Sequence, residues 1–197
     1  MSIASIPRWL PNAISCVRVL LVPLWVYFAE WANRVGEEGE DPATLRLLSA
    51  GVLVTIGASD VVDGWLARRF SLQSRFGANL DAIADKLAQV VLTTYLALRI
   101  GPVFPWIPYW FLGLLIVRDG LLLVGFVLIM RRRGNVEADH AWHGKASSLC
   151  LFGVLVVACL GADDATVAIL SAVTSALVVA STVSYARKGV RQWSRES

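Results

Sequence analysis

Six apolar stretches, each roughly as long as a bilayer is thick, leave this chain few ways to fold. A helix crossing the hydrocarbon core needs about 20 mainly apolar residues. Residues 12–31, 44–64, 77–100, 106–130, 145–161 and 165–186 meet or approach that length, the fifth being the shortest. Glycine, proline and charge separate them, as at Gly36–Gly39, Gly101-Pro102, Arg131–Gly134 and Gly161–Asp164. The chain is 56% hydrophobic and 17% charged, with mean hydropathy +0.62. Soluble domains average about 45–50% and about 25%, and so much apolar surface does not fit inside a water-soluble globule of this length. The expectation is an all-α, polytopic membrane protein, a six-transmembrane-helix bundle, with residues 1–197 forming a single domain. Disorder, a disulfide-stapled secreted fold and nucleic-acid binding are excluded on the same grounds. Cys16, Cys150 and Cys159 lie scattered in apolar runs without ligand spacing and are read as small core residues. The opening, broken by Pro7 and Pro11, does not resemble a cleavable signal peptide.

Charge asymmetry sets the expected orientation. Arg8, then Arg68, Arg69 and Arg75, then Arg131, Arg132, Arg133 and Lys145, and finally Arg187, Lys188, Arg191 and Arg195 all fall on one side of the six spans. The other side has Arg34, Arg46 and Arg99 among Glu37, Glu38, Glu40, Asp41, Asp163 and Asp164. Positive charge stays cytoplasmic, so both termini and the 2–3 and 4–5 loops are expected in the cytosol. That rim would attract anionic lipid at about 1 kcal/mol per charge.

The chemistry concentrates around the second cytosolic turn. At about 100° per residue, Asp60, Asp63, Gly64 and Ala67 share one stripe of the second helix, and Gly77, Asp81 and Asp85 one stripe of the third. A short link joins these helices, which are therefore expected to be antiparallel neighbours with four carboxylates face to face. One carboxylate in a membrane helix costs roughly 2.5–3.5 kcal/mol. Two like charges about 4 Å apart add about 4 kcal/mol of repulsion at an effective dielectric near 20. Arg68, Arg75 and Lys86 offset this only at the edges, whereas divalent cations at the centre would offset it directly. Oxygen-only ligands favour Mg2+ or Mn2+ over Zn2+. Such a metal is a seat for a diphosphate, which small residues at 64, 67 and 77 would let approach the backbone and Arg68 would grip bidentately. The competing interpretation is close helix packing at the glycines and plain aspartate–arginine ion pairs. Carboxylates each tied to a basic partner, with no room for an ion, would favour it.

Asp60, Asp63, Gly64, Ala67, Arg68, Gly77, Asp81 and Asp85 match without a gap the signature D-x2-D-G-x2-A-R-x8-G-x3-D-x3-D. At these residues the sequence resembles the CDP-alcohol phosphotransferase (phosphatidyltransferase) family. The resemblance implies a six-helix membrane enzyme of phospholipid synthesis that displaces CMP from a CDP-linked alcohol, CDP-diacylglycerol being the expected donor. It implies two ions, Mg2+ or Mn2+, held by Asp60, Asp63, Asp81 and Asp85, with Asp85 also the general base. Asn12, Asp60, Gly64, Ala67, Arg68 and Gly77 would bind the cytidine diphosphate, and a homodimer is implied.

Pro11-Asn12-Ala13-Ile14-Ser15-Cys16-Val17-Arg18 is similar to the P-N-x2-T-x2-R opening of the phosphatidylglycerophosphate synthase and cardiolipin synthase branch, with Ser15 where threonine is usual. Arg118 and Gly144-Lys145-x2-Ser148 resemble a second motif of that branch, and Arg118, Lys145 and Ser148 are the expected acceptor-binding set. Basic groups beside the metal suit a phosphorylated alcohol, glycerol 3-phosphate. Arg118-Asp119 is closer to the cardiolipin synthases, whose acceptor is phosphatidylglycerol. His140 and His143 are read as loop residues. From other classes, a cation transporter would place acidic groups near the midplane in repeated halves, and a prenyl-diphosphate transferase would show two separate acidic motifs.

Overall fold

A computed structural model describes residues 7, 9–70, 75–133 and 142–194 of the chain. Its elements, in order, are α1 (Leu10–Glu37), α2 (Ala43–Arg69), α3 (Arg75–Leu98), α4 (Tyr109–Arg133), α5 (Trp142–Cys159) and α6 (Asp164–Ser194). Each expected span coincides with one helix. The helices overrun the apolar runs, α1 by one and a half turns and α6 by two turns at their C-terminal ends, because backbone hydrogen bonding continues where hydropathy stops. Among the described residues, three helical stretches could cross a membrane by length and composition, Asn12–Glu37, Ala43–Leu66 and Asp164–Arg187, and Ser147–Cys159 is a shorter apolar helix. In α3, Asp81, Asp85 and Lys86 interrupt the apolar run.

Two compact units make up the chain, α1–α3 with Leu155–Ala162 in one, and α4, the rest of α5 and α6 in the other. In the first, α1 buries Ser15, Arg18, Val22, Trp25, Ala29 and Ala32, alternating steps of three and four that keep one stripe inward. Opposite it, α2 buries Ser49, Leu53, Ile56 and Asp63, and α3 buries Ala84, Ala88, Leu92 and Leu96. Side-chain pairs fix the directions. Arg18 meets Asp63 while Ser15 meets that same aspartate and Arg18 also reaches back to Ser59, so α1 and α2 run antiparallel. Arg18 meets Asp81 and Asn33 meets Tyr95, so α1 and α3 run parallel. Sequence reasoning made α2 and α3 direct neighbours. They are antiparallel, but they touch each other sparsely and both pack along α1. A short link restricts the distance between two helices without dictating which third helix comes between their faces.

In the second unit α4 packs against α6. Phe111, Leu115 and Arg118 form the buried stripe of α4, and Val167, Ser171, Thr174, Val178 and Ser181 that of α6. The first turn of α6 is capped by Asp163, whose carboxylate accepts the Thr166 backbone N–H at 3.0 Å and its hydroxyl at 2.6 Å. Outward faces in both units are apolar, as at Leu20, Leu24, Val54, Val61, Ile169 and Val173. Exposed apolar surface on this scale marks a contact with lipid or protein rather than water.

Candidate active site

The acidic stripes of α2 and α3 converge on a cation that the sequence did not assign to them. Arg18 of α1 is fully buried, and its guanidinium is shared by four aspartates. Nη2–H donates to Asp63 Oδ2 at 2.5 Å and Nη1–H to Asp81 Oδ1 at 2.8 Å. Nη1 also lies 3.2 Å from Asp60 Oδ1 and 3.7 Å from Asp85 Oδ1. On its other edge Nε–H donates to Ser59 Oγ at 3.2 Å, and the Ser59 hydroxyl donates to the Ile56 carbonyl at 2.7 Å. The expectation considered only Arg68, Arg75 and Lys86 as counter-charges and gave Arg18 no part in the nest. A resident arginine sits at the centre, brought there by the helix between the two acidic stripes.

One guanidinium does not neutralise four carboxylates, and the formal charge left is −3. Exposure grades across the group. Asp63 is 3% exposed as a residue, while the side chains of Asp81, Asp60 and Asp85 are 40%, 43% and 59% exposed. The nest therefore has a closed end and an open rim. Asp60, Asp63 and Asp81 each offer an oxygen, all within 4.8 Å of one another. Asp63 Oδ2 accepts from both Arg18 and the Ser15 hydroxyl, the latter at 3.3 Å, while its Oδ1 is buried with no hydrogen-bond partner. A buried carboxylate oxygen left unpaired is costly, and beside two further carboxylates it is the acceptor a hard cation requires. All the donors are oxygens, a set that fits Mg2+ or Mn2+. A plain ion pair engages one oxygen of Asp63 and does not account for the buried Oδ1.

Among the other expected site residues, Gly64 and Gly77 lie half-buried beside the aspartates on the same helices, and Asn12 is half-buried in the first turn of α1. Ala67 and Arg68 lie within α2 and Lys145 within α5, as does His143, which is helical rather than the loop residue expected; the side chains of all four fall outside the described set, and His140 lies outside the described residues. Arg118 is buried in α4, its Nε without a partner and its Nη1 3.9 Å from Asp119 Oδ1. Ser148 is exposed on α5. Arg118, Lys145 and Ser148 belong to the second unit. Sequence reasoning quoted Ser15 and Arg18 as part of an opening motif without giving Arg18 a role. The available signal was its position, since a charged side chain inside an apolar span is expensive unless a partner waits for it.

Residues 8–184 match the family model described as CDP-alcohol phosphatidyltransferase, and the chain belongs to that family. Its apolar helices and this membership mark it as an integral membrane protein, and the chain spans 60% of the length of the mycobacterial putative cardiolipin synthases it matches. The chain is 32% identical over 146 residues to a putative cardiolipin synthase of Mycobacterium tuberculosis, covering 74% of this chain and 60% of that protein. It is 32% identical over 164 residues to a cardiolipin synthase (CMP-forming) of Streptomyces coelicolor, covering 83% and 71%. It is 28% identical over 194 residues to a CDP-diacylglycerol–glycerol-3-phosphate 3-phosphatidyltransferase of Aquifex aeolicus, covering 94% and 98%.

Proposed function

We propose that this protein transfers a phosphatidyl group from CDP-diacylglycerol to the hydroxyl of glycerol 3-phosphate, releasing CMP. The observation that carries it is the nest itself, three convergent carboxylates of which one, the buried Asp63, has an unpartnered Oδ1. Asp60, Asp63, Asp81 and Asp85 would hold two divalent ions, Mg2+ or Mn2+, which when bound neutralise charge on the diphosphate and on departing CMP. Gly64 and Gly77 leave room for the diphosphate at the helix backbone, with Asn12, Asp60, Ala67 and Arg68 completing the donor site. Asp85, the most exposed of the four aspartates, takes the proton of the acceptor hydroxyl. That oxygen bonds to the phosphorus bearing the diacylglycerol, the bond from this phosphorus to the CMP oxygen breaks, and CMP leaves with the electron pair.

Arg118, Lys145 and Ser148 bind the acceptor. A buried arginine with an unpartnered Nε and one loose ion pair suits a phosphate, which supports glycerol 3-phosphate. The second reading, phosphatidylglycerol as acceptor to give cardiolipin, is favoured by Arg118-Asp119 and by the names of the mycobacterial and streptomycete relatives. Six membrane crossings, cytosolic termini and nest, a single domain over residues 1–197 and a homodimer belong to the same proposal.

The test supplies labelled CDP-diacylglycerol and Mn2+ to the purified protein with glycerol 3-phosphate, phosphatidylglycerol, inositol phosphate or serine. CMP release with glycerol 3-phosphate alone is expected, and should stop on adding EDTA. Turnover only with phosphatidylglycerol would establish the second reading. No CMP with any acceptor, or full activity without metal, would defeat both.

A further inference from the structure

We infer that Arg18 is a positioning residue for the metal centre: pinned by Ser59, its fork turns the buried oxygen of Asp63 toward the ion. This rests on the nest being the metal site proposed above. Three observations carry it. The guanidinium is held from behind, because Ser59 Oγ accepts Nε–H at 3.2 Å while its own hydroxyl is anchored on the Ile56 carbonyl. Its two forward nitrogens engage aspartates from different helices, Asp63 of α2 through Nη2 and Asp81 of α3 through Nη1, which sets the separation of the two acidic stripes. Finally, Asp63 Oδ2 is saturated by Arg18 and Ser15, so the carboxylate cannot rotate without losing both donors, and the oxygen left over is Oδ1.

Planar geometry distinguishes this role from simple neutralisation. A guanidinium presents donors in a fixed fork and on Nε at once, whereas an ammonium supplies the same charge from a single point. If Arg18 served only as a counter-charge, lysine would replace it; if it only held helices together, stability and metal affinity would fall in step. Partners that orient metal ligands typically contribute about 10–100-fold in metal affinity.

Mn2+ binding to the full-length protein in detergent, read by electron paramagnetic resonance without any CDP-lipid, separates these cases, with thermal unfolding of the metal-free protein measured alongside. Arg18→Lys should bind Mn2+ at least tenfold more weakly with a broadened spectrum, while the metal-free unfolding midpoint moves little. Ser59→Ala leaves every carboxylate and the guanidinium in place and should weaken binding by about threefold or more; it decides the matter if Arg18→Lys does not fold. Wild-type affinity in Ser59→Ala together with wild-type or tighter binding in a folded Arg18→Lys would overturn the positioning role. Failure of the wild-type protein itself to bind Mn2+ would instead overturn the metal reading, and this inference with it.

Discussion

Replacing Gly101 by alanine should loosen the clasp that joins α1 to α3 at the end opposite the nest. Asn33 is fully buried there. Its Nδ2–H donates to Tyr95 Oη at 3.0 Å, its Oδ1 accepts the Val103 backbone N–H at 3.4 Å, and Tyr95 passes its own hydroxyl to Glu30 at 3.1 Å. A methyl at position 101 would overlap the Asn33 carboxamide, and neither fixed end of that side chain lets it retreat. Gly101 is not among the positive-φ glycines, so the substitution tests space alone. Overpacking costs about 1–3 kcal/mol, and a displaced Asn33 leaves the buried Val103 N–H unpaired for a further 1–3 kcal/mol or so. A summed loss of about 2–6 kcal/mol should lower the unfolding midpoint by roughly 4–24 °C for a chain of this size. Asn33→Ala alone should also destabilise, and the double variant should cost less than the sum, because once the carboxamide is gone the new methyl has room. Mn2+ affinity of the folded protein should stay put, since Arg18 lies about 22 Å along the same helix from Asn33. Thermal unfolding in detergent measures the first three quantities and electron paramagnetic resonance the last. A midpoint for Gly101→Ala within about 2 °C of wild type, or strict additivity in the double variant, would refute the packing argument.

Asp85→Asn should abolish CMP release while leaving binding of CDP-diacylglycerol largely intact; undiminished turnover would remove Asp85 as the base. Gly161 has φ +86° and its missing side chain faces the Arg46 guanidinium, so Gly161→Ala should destabilise by about 1–2 kcal/mol in thermal unfolding. Hydrogen bonds from the Thr166 hydroxyl and N–H hold the Asp163 carboxyl below its ordinary 3.8. A lowered folded-state pKa stabilises the fold above the unfolded value and loses that effect as pH falls through the folded one. Asp163→Ala should therefore lower the unfolding midpoint at neutral pH, with the gap closing below about pH 4; a gap unchanged at low pH would mean that the carboxylate charge is not what caps α6.

How much of this was legible beforehand follows from the range of each interaction. Helices were readable because an apolar run and the glycines and prolines bounding it are local; their ends were less so, since nothing in hydropathy marks where α6 stops after Ala186. The stripes Asp60–Asp63 and Gly77–Asp81–Asp85 followed from helical periodicity alone, and the structure gathers their carboxylates around one point. The identity of that point was not readable. Arg18 finds its partners 41 to 67 residues away, and no local pattern says which face of α1 will meet α2. Ser15 shows the same limit in milder form: a hydroxyl in place of threonine keeps the donor to Asp63, a contact across 48 residues. The Asn33–Gly101 fit, 68 positions apart, left no sequence trace beyond an isolated glycine before a proline.

The grading of exposure across the nest explains why one arginine and four aspartates coexist there. A buried ion pair contributes little to stability by itself, and apolar residues of similar volume often do as well or better. Arg18 and Asp63 at the closed end are therefore poorly explained as a device for holding α1 to α2, since both helices also bury apolar side chains, Val22 and Trp25 on α1 and Leu53 and Ile56 on α2, that desolvate no charge. Their value lies in what they leave over. With one oxygen of Asp63 saturated, the other is committed, while the half-exposed Asp60, Asp81 and Asp85 keep solvent at hand and can follow a ligand. The formal charge of −3 is smaller in magnitude than the charge of two divalent ions. Loaded with both, the nest would turn net positive and attract the diphosphate whose cleavage the proposed reaction requires.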